Sequence, residues 1–319
     1  MKIWNLPVTE YRPFVEIEEK HPVVVLTSEP AWTAVSPHLT HLNIIQKIEV
    51  HHATLNHWDD LQSPISELQS PYVFYAVGGG LVADAAKYLA VKLHKPLVCL
   101  PTALSVDAFL TWASGYRHNG CVYYLETKPP DQLIIDLNIL AAAPPTIRAA
   151  GICDVLSIAT GAWDWQFAHE QGKNPPNMPF ISYVYDAAQA ILHGALDCAA
   201  AAGAGDPAGL KQLLDLLALE VQLCNQVGHS RPEEGSEHYF AYAVENIMGK
   251  GLPHGDLVGP AILLIAEKQG QKTTPLRQAL EACHIPLNNI PDGAIQATLQ
   301  RLPAYSQKHN LPFGIAHEL

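Results

Sequence analysis

Between His21 and Thr102, short runs of β-branched and aromatic residues alternate with stretches of helical length. The segments HPVVVLTSE (His21–Glu29), NIIQKIEV (Asn43–Val50), YVFYAVGGG (Tyr72–Gly80) and KPLVCLPT (Lys95–Thr102) read as strands. Each is a brief apolar run bounded by polar or turn residues, the pattern of a strand buried on both faces. Between them, Trp32–His41, Trp58–Gln69 and Val82–Leu93 predict helices. Strands alternating with helices predict a parallel sheet covered by helices, an α/β layer.

The pattern changes after DQLIIDLNIL (Asp131–Leu140). The run AAAPP (Ala141–Pro145) breaks it, and almost every later segment is rich in Ala and Leu at helical spacing, with AAAAGAGDPAG (Ala199–Gly209) reading as a helix end followed by a loop. A boundary near residue 143 follows. The expected organisation is an α/β domain over residues 1–143 and an all-helical domain over residues 144–319.

Bulk chemistry narrows the partners. A formal charge of −12, with basic residues scattered along the chain, argues against a nucleic-acid backbone as partner. Met1 to Glu10 lack an apolar leader, and no run reaches the roughly 18 apolar residues of a membrane span, so a cytoplasmic protein without a membrane partner is expected. Homo-oligomerisation stays open. The six cysteines stand far apart without a CxxC pair, which suggests neither a disulfide framework nor a zinc ribbon.

Two groups of residues carry candidate chemistry. The first is the glycine turn in AVGGGLVADAAK, where a strand runs through Gly78, Gly79 and Gly80 into a helix. Backbone N–H groups at such a helix start can meet a pyrophosphate with no Cβ in the way, although three glycines alone also suit a tight structural turn. Asp84 falls in the helix's first turn, with Lys87 on the adjoining face. One strand later, LPTALSVDAFLT places Thr102, Ser105 and Asp107 at a strand end, where open α/β sheets hold their ligands.

The second group lies in the helical half: Asp154, His238 and His254. One carboxylate and two imidazoles are the donor set of a catalytic divalent-cation site. Singly, each has an ordinary reading, as a helix cap, a surface histidine and a loop residue. Jointly they would converge if a histidine on one helix and a histidine beyond a glycine-bounded turn faced the same aspartate. His51 and His52 adjoin a strand end, and His57, His118, His169 and His309 stand in polar surroundings typical of solvated surface.

Taken together, GGGLVADAAK, PTALSVD, PPDQLIIDLNILAAAPP, AAGICDVLS, GSEHYFAYAVE and HGDLVG resemble the glycerol-1-phosphate dehydrogenase family, in that family's order. The larger superfamily includes glycerol dehydrogenase, iron-containing alcohol dehydrogenases and dehydroquinate synthase. The resemblance runs from about Val23 onward. It implies a Rossmann-like N-terminal domain, a helical C-terminal domain, and an oxidoreductase that uses NAD or NADP with a zinc ion on a small polyol or polyol phosphate. It further implies that Gly80 to Asp84 line the pyrophosphate, that Thr102, Ser105 and Thr111 contact the cofactor, and that Asp107 faces substrate. Asp154, His238 and His254 then become zinc ligands. Iron-type relatives hold a histidine four residues after this aspartate, where Ile158 stands here, which favours zinc.

The chain departs from the family at two places. Val106 stands where relatives have a histidine before the substrate aspartate, and Tyr242 where they have a second histidine four residues after His238. A phosphate dianion would lose two donors there, so weak use of a phosphorylated substrate is expected, with Tyr242 as a hydrogen-bonding partner of a neutral one. The strand VVVLTSE ends in Ser28 and Glu29 where NAD-strict relatives often place an aspartate, which leaves NADP open. A dehydroquinate-synthase-like lyase would need a glutamate metal ligand and a lysine-rich phosphate pocket, and neither is evident. A cofactor-binding protein without catalysis is the remaining alternative.

Overall fold

The computed structural model describes residues 3–68 and 71–319. Gln69, the predicted end of the second helix, lies outside them, as do Met1 and Lys2 of the N-terminal segment. Two compact units are present, one of residues 4–144 and one made of Ile3 with residues 145–319.

The first unit is an α/β layer. Its elements are β1 (Val8–Tyr11), β2 (Val23–Thr27), α1 (Glu29–Val35), β3 (Ile44–Glu49), α2 (Leu55–Ser66), β4 (Val73–Gly78), α3 (Gly80–Lys92), β5 (Leu97–Pro101), β6 (Ala113–His118), β7 (Cys121–Glu126), β8 (Gln132–Ile135) and α4 (Leu137–Ala142). Six strands form a sheet in the order β1-β8-β5-β4-β2-β3, and every pairing in it is parallel. Every residue of β2, β4 and β5 is buried, as expected where both faces of a parallel sheet are covered. Their side chains, Val23, Val25, Tyr75, Val77, Val98 and Leu100 among them, pack with Phe14, Ile17, Val35 and Leu39 into one core cluster.

The four predicted strands form, each trimmed at its ends. Glu29 opens α1 rather than ending β2, and the first predicted helix splits at Ser36–His38, a short 3-10 turn beginning next to Pro37. Two features arise that the apolar pattern did not suggest. β1 is a short edge strand with three of its four residues exposed. β6 and β7 form an antiparallel hairpin around Asn119 (φ 50°) and Gly120 (φ 74°), two consecutive left-handed residues that match the twist of a tight hairpin.

The second unit contains α5 (Pro145–Arg148), α6 (Ile152–Glu170), α7 (Ser182–Ala204), α8 (Pro207–Val227), α9 (Ser236–Met248), α10 (His254–Lys268), α11 (Thr274–Ala282) and α12 (Asp292–Lys308), with no strand among the described residues. The loop expected through Gly209 is only Gly205 and Asp206. Gly205 closes α7 in the left-handed conformation, Asp206 caps α8 by accepting the Gly209 N–H at 2.9 Å, and Pro207 occupies the first turn, where its missing N–H costs nothing. All six cysteines are free thiols. No helix among the described residues is long and apolar enough to cross a membrane.

Candidate functional site

In the first unit, the sheet's C-terminal edge presents the glycine turn. Gly78 ends β4 with φ 155°, Gly79 caps α3, and the α3 N-terminus leaves its first N–H groups without helical partners. The loop after β5 packs directly on this turn. The Thr102 N–H donates to Gly78 O at 3.3 Å. A Cβ on Gly79 would stand 2.8 Å from Ser105 Oγ, and one on Gly80 would stand 2.5 Å from Val106 Cγ2. Thus Gly78, Gly79, Gly80, Thr102 and Ser105 come together on one edge, with Asp107 half-buried in the same loop.

Two other expected cofactor residues face a different partner. Lys87, on the face adjoining Asp84, has a fully buried side chain. It donates to Ala108 O at 2.7 Å, to Thr111 Oγ1 at 3.0 Å and to Ala113 O, and pairs with Asp84 at 3.1 Å. Burial pushes the Asp84 carboxyl up from its ordinary value, against Lys87 and the Gly115 N–H, which pull it down. Asp84 and Thr111 are therefore drawn into the fastening that ties α3 to the loop and hairpin after β5. Replacing Lys87 with methionine should strand a buried carboxylate and several carbonyls. Breaking one side of a buried pair costs about 3–5 kcal/mol, which chemical denaturation of the variant should register.

In the second unit, Asp154, His238 and His254 each fall in the first turn of a helix, α6, α9 and α10 respectively. One ligand atom from each lies within 4.8 Å of the others. His254 Nε2 is 2.6 Å from Asp154 Oδ1, and the two imidazole rings stand 5.4 Å apart. The carboxylate of Glu237, itself fully buried, takes His238 Nδ1 at 2.9 Å, which leaves Nε2 as the remaining ring nitrogen. Burial works against protonating His238, but Glu237, Glu234 and Asp154 overcome it and raise the imidazole to about 9.

The start of α9 is anchored to α6 further along. Asp164 accepts Ser236 N–H at 2.8 Å and the Ser236 hydroxyl, together with the Ile315 N–H at 2.9 Å and Gln269 Nε2 at 3.1 Å. Backbone approaches backbone here: a Cβ on Gly161 would lie 2.7 Å from the Glu233 carbonyl carbon. This fixes Ser236, two residues before His238. On the same face of α9, one turn on, Tyr242 donates its hydroxyl to Glu234 Oε1 at 2.6 Å. Glu234 and Glu237 were not found from the sequence, because two acids at a helix start also read as an ordinary solvated first turn.

Comparison with known proteins follows the same lines. Residues 9–144 match the family model described as iron-containing alcohol dehydrogenase. Across 69% of this chain, it is 32% identical to a protein from Sulfurisphaera tokodaii named glycerol-1-phosphate dehydrogenase [NAD(P)+], and the match spans 63% of that relative's length. The chain thus matches less than two thirds of that relative. A probable glycerol dehydrogenase from Sinorhizobium meliloti 1021 has the same fold, with TM-score 0.73, 17% identity, and 96% of this chain and 91% of that one covered. So does sulfoacetaldehyde reductase from Bifidobacterium kashiwanohense, solved in complex with NAD+, with TM-score 0.69, 14% identity, and coverage of 98% and 94%. The fold is shared with glycerol dehydrogenases and iron-containing alcohol dehydrogenases. The sequence similarity is to the glycerol-1-phosphate dehydrogenases.

Proposed function

We propose that this chain is a metal-dependent, NAD(P)-linked oxidoreductase, related to glycerol-1-phosphate dehydrogenase, that interconverts a small polyol or polyol phosphate and its carbonyl form. The observation that carries it is the convergence of Asp154, His238 and His254 from three helix starts. One carboxylate and two imidazoles fit a catalytic zinc, since the set leaves open positions and His238 is already oriented through its other nitrogen. The division of labour is then a dinucleotide-binding unit up to about residue 143 and a metal-binding unit beyond it. A cytoplasmic location goes with this reading.

When bound, zinc would supply Lewis-acid polarisation of a substrate oxygen, and the nicotinamide would accept or give hydride. The chain's own residues do the rest. Gly78, Gly79 and Gly80 open the α3 N-terminus to the pyrophosphate, and Thr102 and Ser105 border it. Asp84 and Thr111 act through Lys87, holding the loop that carries Ser105 and Asp107. Asp107 is the candidate acid or base toward substrate. Glu237 keeps the His238 ring in register, and the Tyr242 hydroxyl holds a proton that Glu234 Oε1 can receive.

Tyr242 also bears on substrate choice. Where relatives have an imidazole, this chain has a phenol bonded to a carboxylate, and a phosphate dianion near Glu234 would meet repulsion rather than a donor. Free dihydroxyacetone, or another small neutral ketone, should therefore show the higher kcat/KM against dihydroxyacetone phosphate. Val106→His combined with Tyr242→His should move the ratio toward the phosphate. A strong native preference for the phosphorylated ketone would reverse this part of the proposal, and a failure to oxidise NADH or NADPH with any ketone would reject the oxidoreductase itself.

A further inference from the structure

Next to the glycine turn, the sheet's C-terminal edge carries a second cluster that the proposed chemistry leaves unused. β3 ends at Glu49, and the chain passes through the exposed His51 and His52 into α2, whose first turn holds His57. Ring centroids stand 5.3 Å apart for His52 and His57, 6.0 Å for His51 and His57, and 6.4 Å for His51 and His52. The His51 N–H donates to His57 Nε2 at 3.1 Å, which fixes that ring and leaves Nδ1 as its donor. The nearby carboxylate of Glu49 is engaged by Lys47 at 2.9 Å through one oxygen, and its other oxygen stands 3.8 Å from His51 Nε2. On the hairpin side, Arg117 is held beside this turn by its N–H bond to Ala53 O at 2.7 Å.

The cluster's place relative to the glycine turn follows from strand register. Thr27 of β2 pairs with Glu49 of β3 on one side and Val77 of β4 on the other. With strands about 4.8 Å apart, the end of β3 lies roughly 10 Å from the turn. A dinucleotide on an open sheet lies across the C-terminal strand ends, with its two nucleoside halves on either side of the pyrophosphate. On the β5 side stands Asp107, beyond the Ser105 that borders the pyrophosphate, and the proposed function gives Asp107 to the reacting half. The adenosine half is left with the ends of β2 and β3. There β2 ends in Ser28, and Glu29 turns into α1, where it accepts the Thr33 hydroxyl at 3.0 Å. The tip residue is thus a serine, and the Glu29 carboxylate beyond it is held along α1 by Thr33.

We infer that the chain takes the 2′-phosphorylated dinucleotide, NADP(H), with His51, His52 and His57 as donors to the 2′-phosphate. This rests on the dinucleotide reading of the glycine turn. Imidazoles suit the task because each offers a ring N–H, and the rings of His51 and His52 are exposed.

The test is a fluorescence titration of the full chain with NADPH and with NADH, for the wild type and for the double variant His51→Gln, His52→Gln. Both side chains are exposed, so the fold should be unaffected. NADPH should bind wild type at least about tenfold more tightly than NADH, the factor expected of one charge-assisted hydrogen bond. In the variant the two constants should converge, with NADH unchanged. Equal affinities in the wild type, a preference that survives the substitutions, or a parallel loss of both ligands would overturn the histidine assignment while the dinucleotide reading stands. Binding of neither nucleotide would overturn that reading, and this inference with it.

Discussion

His254→Ala should yield a folded protein that no longer retains a divalent cation and has lost at least about a thousandfold in kcat. The size follows from the several kcal/mol that Lewis-acid polarisation contributes to such a transition state. His254 begins α10 with its side chain 31% exposed, so its removal opens no large cavity in the core. The fold should survive because a catalytic cation bound to an already packed unit is not its main source of stability. Elemental analysis and thermal denaturation check the two halves separately: stoichiometric zinc in the variant would refute the ligand set. In the wild type, a cation competes with the proton that Glu237, Glu234 and Asp154 help hold on His238. Apparent zinc affinity should accordingly rise with pH up to about 9, the value at which that imidazole loses its proton.

An effect of similar size is expected at the glycine turn. Gly79→Val puts a branched side chain where the Cβ alone would stand 2.8 Å from Ser105 Oγ, and places its methyl groups over the N–H groups proposed to meet the pyrophosphate. Ser105 can yield somewhat, being short and half-buried, so the strain should be borne by the loop while the sheet stays intact. NAD(P)H binding should fall beyond detection by fluorescence titration, with an unchanged circular dichroism spectrum. Unaltered affinity in a folded variant would show that the pyrophosphate lies elsewhere.

What could be read from the residues divides along physical lines. The buried strands β2, β4 and β5 were plain because a strand covered on both faces is an unbroken apolar run. β1 left no such mark: VTEY is mostly exposed and gains its strand geometry only by pairing with β8. The β6–β7 hairpin was signalled by Asn119-Gly120, a dipeptide that favours tight hairpins, yet its flanks include Gly115, Arg117 and His118 and lack a clean alternation. Asp154, His238 and His254 could be named from motifs, but their approach depends on how α6, α9 and α10 pack, which no local pattern encodes. Lys87 shows the opposite failure. A lysine in an amphipathic helix normally reaches water, and this one stays inside because carbonyls, the Thr111 hydroxyl and the Asp84 carboxylate surround its ammonium.

The pairing of β1 with β8 also bears on how the chain is made. Glu10 bonds Gln132 and Phe14 bonds Asp136, each pair 122 residues apart along the chain. A ribosome extending by about 5–20 residues per second must therefore work for several seconds after β1 emerges before its partner exists. Throughout that interval β2, β4 and β5 can assemble with their helices, while the opening segment waits unpaired. The edge strand is then the last stitch of the sheet, closed by the arrival of Gln132–Ile135.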